Sequence, residues 1–171
     1  MMAELKSRLD EVLEAWHDVR AGVIEEVENI PSAKMDFRPS PEVRTVREQI
    51  QHILEVAMMA TGEFTRPDTN LLRAPWPKLL GMYAKPAWKA KTKAQLLSLL
   101  RSQMKDADRK FRGQGELALL QFHTRFDGKQ GTKIAWVHHA MANEWYHRGQ
   151  LAMYARMLGL VPALTQRIQG S

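Results

Sequence analysis

The sequence predicts an all-α chain, a four-helix bundle with long crossover connections. Three observations carry this: four long segments place apolar residues at alternating steps of three and four, proline and glycine punctuate their ends, and the stretches between them are long. At 171 residues a single domain over 1–171 with one core is expected. A chain of this length removes well over half of its unfolded surface from water, so it folds without disulfides or a structural metal.

The first segment sets Leu5, Leu9, Val12, Trp16, Val19, Val23, Val27 and Ile30 on one helical stripe that Pro31 stops. After the extended DFRPSP stretch, Ser40 is the expected N-cap of a second helix with Pro41 at its first position, and Val43, Val46, Ile50, Ile53, Ala57, Ala60 and Phe64 form its stripe. From Arg66 to Lys91 the rhythm breaks, with prolines interleaved among Trp76, Tyr83 and Trp88. This predicts a long connection with one short helix near Lys78 to Tyr83, its aromatics pinning it to the bundle. Thr92 with Gln95 three residues on has capping-box spacing and opens the third helix, which Gly113 and Gly115 end. Glu116 to Phe126 reads as a short packed piece and DGKQG as a turn. The fourth helix is expected from Lys133 to Leu158, with Thr132 as N-cap, Gly159 as left-handed C-terminal cap and Pro162 beyond; the last few residues are expected to fray.

The chain has no cysteine, which excludes disulfides, thiolate metal sites and a cysteine nucleophile, and fits a cytoplasmic location. Its beginning shows no signal-peptide pattern, and no stretch approaches the roughly 18 to 20 apolar residues of a membrane span. The net charge of +6 owes much to the stretch from Lys85 to Arg112. No nucleic-acid-binding motif accompanies that charge, so it reads as a solvated face or as an attractor for an acidic small molecule.

On the fourth helix the apolar rhythm Ile134, Val137, Met141 runs into Glu144 and Arg148 before returning to Leu151, Ala155 and Leu158. Inward charges demand a mutual ion pair, a buried network or a metal. Asn143 and His147 stand one turn apart beside them, a spacing that presents two side chains to one ion. The second helix supplies His52, with Glu48 and Glu55 nearby as candidate carboxylate ligands. His139 and His147 are separated by about 12 Å of helix rise, too far to share one ion. His17, His123, His138 and His139 are read as structural or surface residues.

EQIQHILEVA on the second helix and HHAMANEWYHRGQLAMYARMLGLVPAL on the fourth resemble the DinB family of four-helix-bundle proteins. That resemblance implies a divalent ion such as zinc or nickel held by three histidines. His52 and His147 match the outer two positions, and Asn143 stands where the family most often has histidine. A neutral amide oxygen is a poorer donor than imidazole for these metals. Glu144 would then serve as a catalytic base at the ion or steady a ligand, with Arg148 as its charge partner or as an anion-binding group, and Gly149 would allow close helix approach.

The resemblance implies a metal-dependent thiol transferase or hydrolase in which the ion activates a low-molecular-weight thiol or water, and a homodimer. The alternative is a metal-poor bundle that binds a small ligand without catalysis. A di-iron carboxylate site would need Glu-x-x-His on two helices, and that reading rests on Glu144 and His147, since Glu48 and His52 are four apart.

Overall fold

The computed structural model describes residues 7–170, which places Leu5 of the first stripe outside the described residues. Helix α1 spans Arg8–Asn29; the Ser7 hydroxyl caps it by accepting the Asp10 N–H, and Asp10 and Glu11 in the first turn complement the helix dipole. The second stripe forms α2, Val46–Phe64, which starts later than Ser40 and Pro41 suggest. Ser40 instead closes a local turn, donating to Glu42 at 2.8 Å. The true cap is Thr45, whose hydroxyl accepts the Glu48 N–H while the Glu48 carboxylate accepts the Thr45 N–H.

The connection after α2 holds two short helices where one was expected, α3 at Trp76–Tyr83 and α4 at Lys85–Lys89. The long third helix of the sequence is α5, Lys93–Gln114, opened by the Thr92–Gln95 capping box and closed by Gly115 at φ 78°. A single-turn α6, Glu116–Leu119, follows. The DGKQG turn then joins two short antiparallel strands, β1 at Phe122–Thr124 and β2 at Gln130–Thr132, a hairpin that helical periodicity could not reveal. The last long helix is α7, Lys133–Met157, with Gly159 at φ 78° beyond it. Of the residues expected to fray, those described up to Gln169 form α8, Ala163–Gln169, because the buried Glu26 carboxylate accepts the N–H groups of Ala163 and Leu164; Ser171 lies outside the described residues.

α1, α2, α5 and α7 make the bundle, each packing on two others: α1 on α7 and α5, α2 on α7 and α5. The core falls into two halves. One joins the beginning of α1 (Leu9 to Trp16) to the ends of α2 and α5 and the beginning of α7. The other joins the end of α1 (Val23 to Ile30) to the beginnings of α2 and α5 and the end of α7. The order is therefore up, down, down, up: α1 runs parallel to α7, and α2 parallel to α5. Two successive parallel helices need a crossover as long as the bundle, which is the task of the segment carrying α3 and α4. Tyr83 ties that segment down, donating to the buried Glu63 carboxylate at 2.7 Å. Between the halves lies a polar layer. Arg20 of α1 meets Glu144 of α7 and donates to the Leu100 carbonyl and Gln103 amide oxygen of α5, and Gln103 donates to Thr61 of α2. No helix among the described residues is long and apolar enough to cross a membrane.

Candidate metal centre

α2 and α7 run antiparallel, and this brings His52 and His147 together although they are far apart in the chain. The two rings meet edge to face with centroids 4.7 Å apart. His147 is buried and His52 half-buried, and His52 with Asn143 lines the cleft between the two helices.

Each ring is anchored through the same nitrogen. His52 Nδ1 lies 2.6 Å from Glu55 Oε1, and the other Glu55 oxygen accepts the indole N–H of Trp88 at 2.7 Å. His147 Nδ1 contacts the side-chain amide of Gln49 and lies 2.8 Å from Gln150 Oε1. Donation from Nδ1 to Glu55 and to Gln150 leaves Nε2 of each ring for a ligand, a tautomer that the Gln49 side-chain nitrogen, itself a donor towards His147 Nδ1, opposes. A metal-binding imidazole is usually fixed in this way, its second nitrogen donating to a carboxylate or carbonyl. Burial, joined by the charges of His52 and Arg44, holds the His147 pKa below its ordinary value against the opposing Gln150 hydrogen bond, which favours the neutral form that coordinates. Burial pushes the Glu55 carboxyl up, but the hydrogen bonds from His52 and Trp88 outweigh it and hold the group below the usual range, as a carboxylate.

Asn143 lies one turn before His147, and its side-chain oxygen is buried without a hydrogen-bond partner. An amide oxygen left bare in a protein interior costs about 1–3 kcal/mol unless something binds it. Two anchored imidazoles beside an orphaned oxygen donor suit a divalent cation, so the residues present fit such an ion. Among the described residues no third histidine or carboxylate completes the set. Glu48 is spent on the α2 cap and Glu55 on His52 and Trp88, so neither expected carboxylate is free to ligate.

Glu144 is the main correction to the sequence reading. It faces α1 and is held in the core by Arg20, with Nε to Oε2 at 2.8 Å and Nη2 to Oε1 at 2.5 Å, while Trp16 Nε1 donates to Oε1 at 2.7 Å. With both oxygens engaged and the side chain 1% exposed, it has no access to a reacting group. Arg148 is not its partner. The Arg148 guanidinium occupies the space above Gly22, where an added Cβ would collide with Cζ, and stacks 5.3 Å from the Trp145 ring centroid. A methyl group placed on Gly149 would meet nothing within 4 Å, so that glycine serves no close helix contact among the described residues. His123 is a buried structural residue between Phe64 and Trp136. His139 stacks on Trp136 at 4.7 Å and lines the cleft at its middle.

Sequence reading missed Arg38 and Arg44, which line a charged hollow on the far side of His52 together with Glu42, Glu48 and Glu55. The cations from Lys85 to Arg112 are largely occupied elsewhere: Lys93 binds the Glu28 and Ile30 carbonyls, Arg101 binds Glu28, Arg109 and Lys110 bind Asp106, and Arg112 binds Asp10 and Asp108.

A model of the DinB family matches residues 1–169. The chain belongs to the DinB family. Among solved structures, this DinB protein is similar to YfiT from Bacillus subtilis, described as "a probable metal-dependent hydrolase with an unusual four-helix bundle topology", at 18% identity, covering 94% of each chain with a TM-score of 0.68. It is similar also to YjoA, a DinB-like protein of Bacillus subtilis, at 20% identity over 87% of this chain and 92% of that one, TM-score 0.66. A mycothiol-dependent maleylpyruvate isomerase matches at 14% identity, TM-score 0.66, over 85% of this chain but only 61% of its own length. At these identities the likeness establishes the fold alone. No curated protein matches the chain.

Proposed function

We propose that this DinB protein is a divalent-metal-dependent enzyme, a thiol transferase or hydrolase, with His52, His147 and Asn143 holding the ion. The observation that carries the reading is the matched pair of histidines, each fixed at Nδ1 with Nε2 left over, beside the orphaned Asn143 oxygen. The descriptions of YfiT as a metal-dependent hydrolase and of the isomerase as mycothiol-dependent support the same reading. A bound divalent ion lowers the pKa of a thiol or water at neutral pH, supplying the nucleophile that a chain without cysteine lacks.

The protein's own side chains do the rest. Glu55 and Gln150 orient the two imidazoles, and the apolar walls of the α2–α7 cleft exclude water from one side of them. Arg38 and Arg44 on the other side stand among Glu42, Glu48 and Glu55, with Arg38 3.8 Å from Glu48, so that hollow suits a low-molecular-weight thiol carrying both an amino and a carboxylate group. Zinc or nickel is held less tightly by two imidazoles and an amide than by three imidazoles. The exposed run of Trp145, Tyr146, Met153 and Met157 along the outer face of α7 supports a homodimer, and the cysteine-free composition a cytoplasmic location.

Elemental analysis of tag-free protein, followed by zinc and nickel titration, tests the reading. Near-stoichiometric metal that disappears in both His52→Ala and His147→Ala is the expected result, with Asn143→His tightening uptake. Failure of the wild type to bind either ion, with no gain from Asn143→His, would leave a metal-free small-ligand bundle as the better description.

A further inference from the structure

The cleft between α2 and α7 opens into a cavity of about 230 Å³ that starts at the candidate metal centre and runs away from it. Its composition changes along its length. The antiparallel helices place His52 opposite Asn143 at one end, and Phe64 opposite Trp136 at the other. Between them Val56, Met59 and Ala60 of α2 face Ala140 of α7. The crossover and the hairpin close the far end with Trp76 and Phe126, whose rings meet edge to face at 5.0 Å, and Phe126 in turn meets Trp136 at 5.6 Å. The hairpin is fastened to the crossover by the Leu71 N–H bonding the Thr124 carbonyl, so the aromatic end is built from connected pieces.

Among the described residues no aspartate, glutamate, lysine or arginine lines this cavity; its polar side chains are His52 and Asn143 at one end and His139 at the middle, stacked on Trp136. A charged group placed at the aromatic end would lose hydration with no polar partner beside it, at a cost of several kcal/mol. An apolar group would instead bury surface against four aromatic rings. On size, an engineered apolar cavity of roughly 150 Å³ accepts benzene, so the larger volume here suits one ring carrying small substituents. The hollow on the other side of His52 is charged, and the two reactants of a transfer would thus be sorted by polarity on either side of one histidine.

We propose that this cavity receives the neutral, apolar body of the substrate, the size of one substituted aromatic ring or a short branched chain, with its reactive polar end at His52 and Asn143. The proposal rests on the metal-centre reading only for the orientation of the ligand; the pocket itself stands on its lining.

Ligand-detected NMR with toluene as the neutral probe and terephthalate, charged at both ends of its ring, tests it on the 171-residue chain. Toluene should bind, and terephthalate, which must bring one carboxylate to the aromatic end, about tenfold more weakly or worse. Ala140→Leu, which projects into the cavity, should weaken toluene by about tenfold or more, and Trp76→Ala, at the exposed rim where loss of folding is no concern, should also weaken it. Equal binding of toluene and terephthalate, or toluene affinity indifferent to both substitutions, overturns the proposal. Zinc titration of the same samples separates the two readings: toluene binding without zinc uptake defeats the metal centre and keeps the pocket, and zinc uptake without toluene binding does the reverse.

Discussion

Replacing Glu144 by glutamine tests whether this carboxylate belongs to the architecture or to the chemistry. Glutamine keeps the shape and can still accept the Trp16 N–H, but it removes the charge that balances Arg20. The guanidinium, 2% exposed, would then be a buried cation facing only the Leu100 carbonyl and the Gln103 amide oxygen. Breaking one partner of a buried pair costs about 3–5 kcal/mol. At roughly 2–4 °C per kcal/mol for a chain of this size, the melting temperature should fall by about 6–20 °C. Differential scanning calorimetry of metal-free protein reads that shift, and zinc titration below the transition should show affinity unchanged. The double replacement Arg20→Met with Glu144→Leu should recover most of the loss, because an apolar pair of similar volume does not leave a lone charge. A Glu144→Gln protein that melts like the wild type and yet fails to take up zinc would refute the reasoning and return Glu144 to the ion.

Two further outcomes follow from the geometry. Glu55→Gln removes the charged acceptor that fixes His52, and should weaken zinc binding by about 10- to 100-fold in a calorimetric titration without changing the fold. Burial, aided by the charges of Lys133 and Arg125, lowers the His123 pKa from 6.5 to about 4, so the folded chain stays neutral there while the unfolded chain takes up a proton. Stability from this residue is therefore intact above pH 6.5 and declines as pH falls towards 4, by about 3 kcal/mol in all. Urea midpoints at pH 7.5 and 4.5 should converge in His123→Phe relative to the wild type, and an unchanged gap would disprove the assignment.

The helical stripes and most of their ends could be read from the chain because they rest on local rules. Thr92 and Gln95 announce a cap within four residues, and Gly159 can adopt the left-handed turn that its φ of 78° requires. The same rule applied to Thr45 and Glu48 would have placed the start of α2, where a Ser-Pro pair five residues earlier offered a competing signal. The partner of Glu144 was hidden for a different reason. Arg148 is its neighbour by helical spacing, whereas Arg20 lies 124 positions away, and only the packing of α1 on α7 joins them. A trace was present: Arg20 sits four residues after Trp16 and three before Val23, an inward position occupied by a charge. His52 and His147 could be paired through the family resemblance, but their anchoring by Glu55 and Gln150, and the cations at Arg38 and Arg44, depend on how loops and helices meet in three dimensions.

The band of hydrogen bonds through Arg20, Glu144, Gln103 and Thr61 touches every long helix at mid-height. Slipping any one helix by a turn would strand several buried donors at once, so the band acts as a ratchet stop against axial drift. Spacing between α2 and α7 is thereby insulated from the connections, which can lengthen, shorten or change residues without pulling the two histidines apart. Such insulation gives a physical reason why bundles sharing a fifth or less of their residues can retain one arrangement of helices.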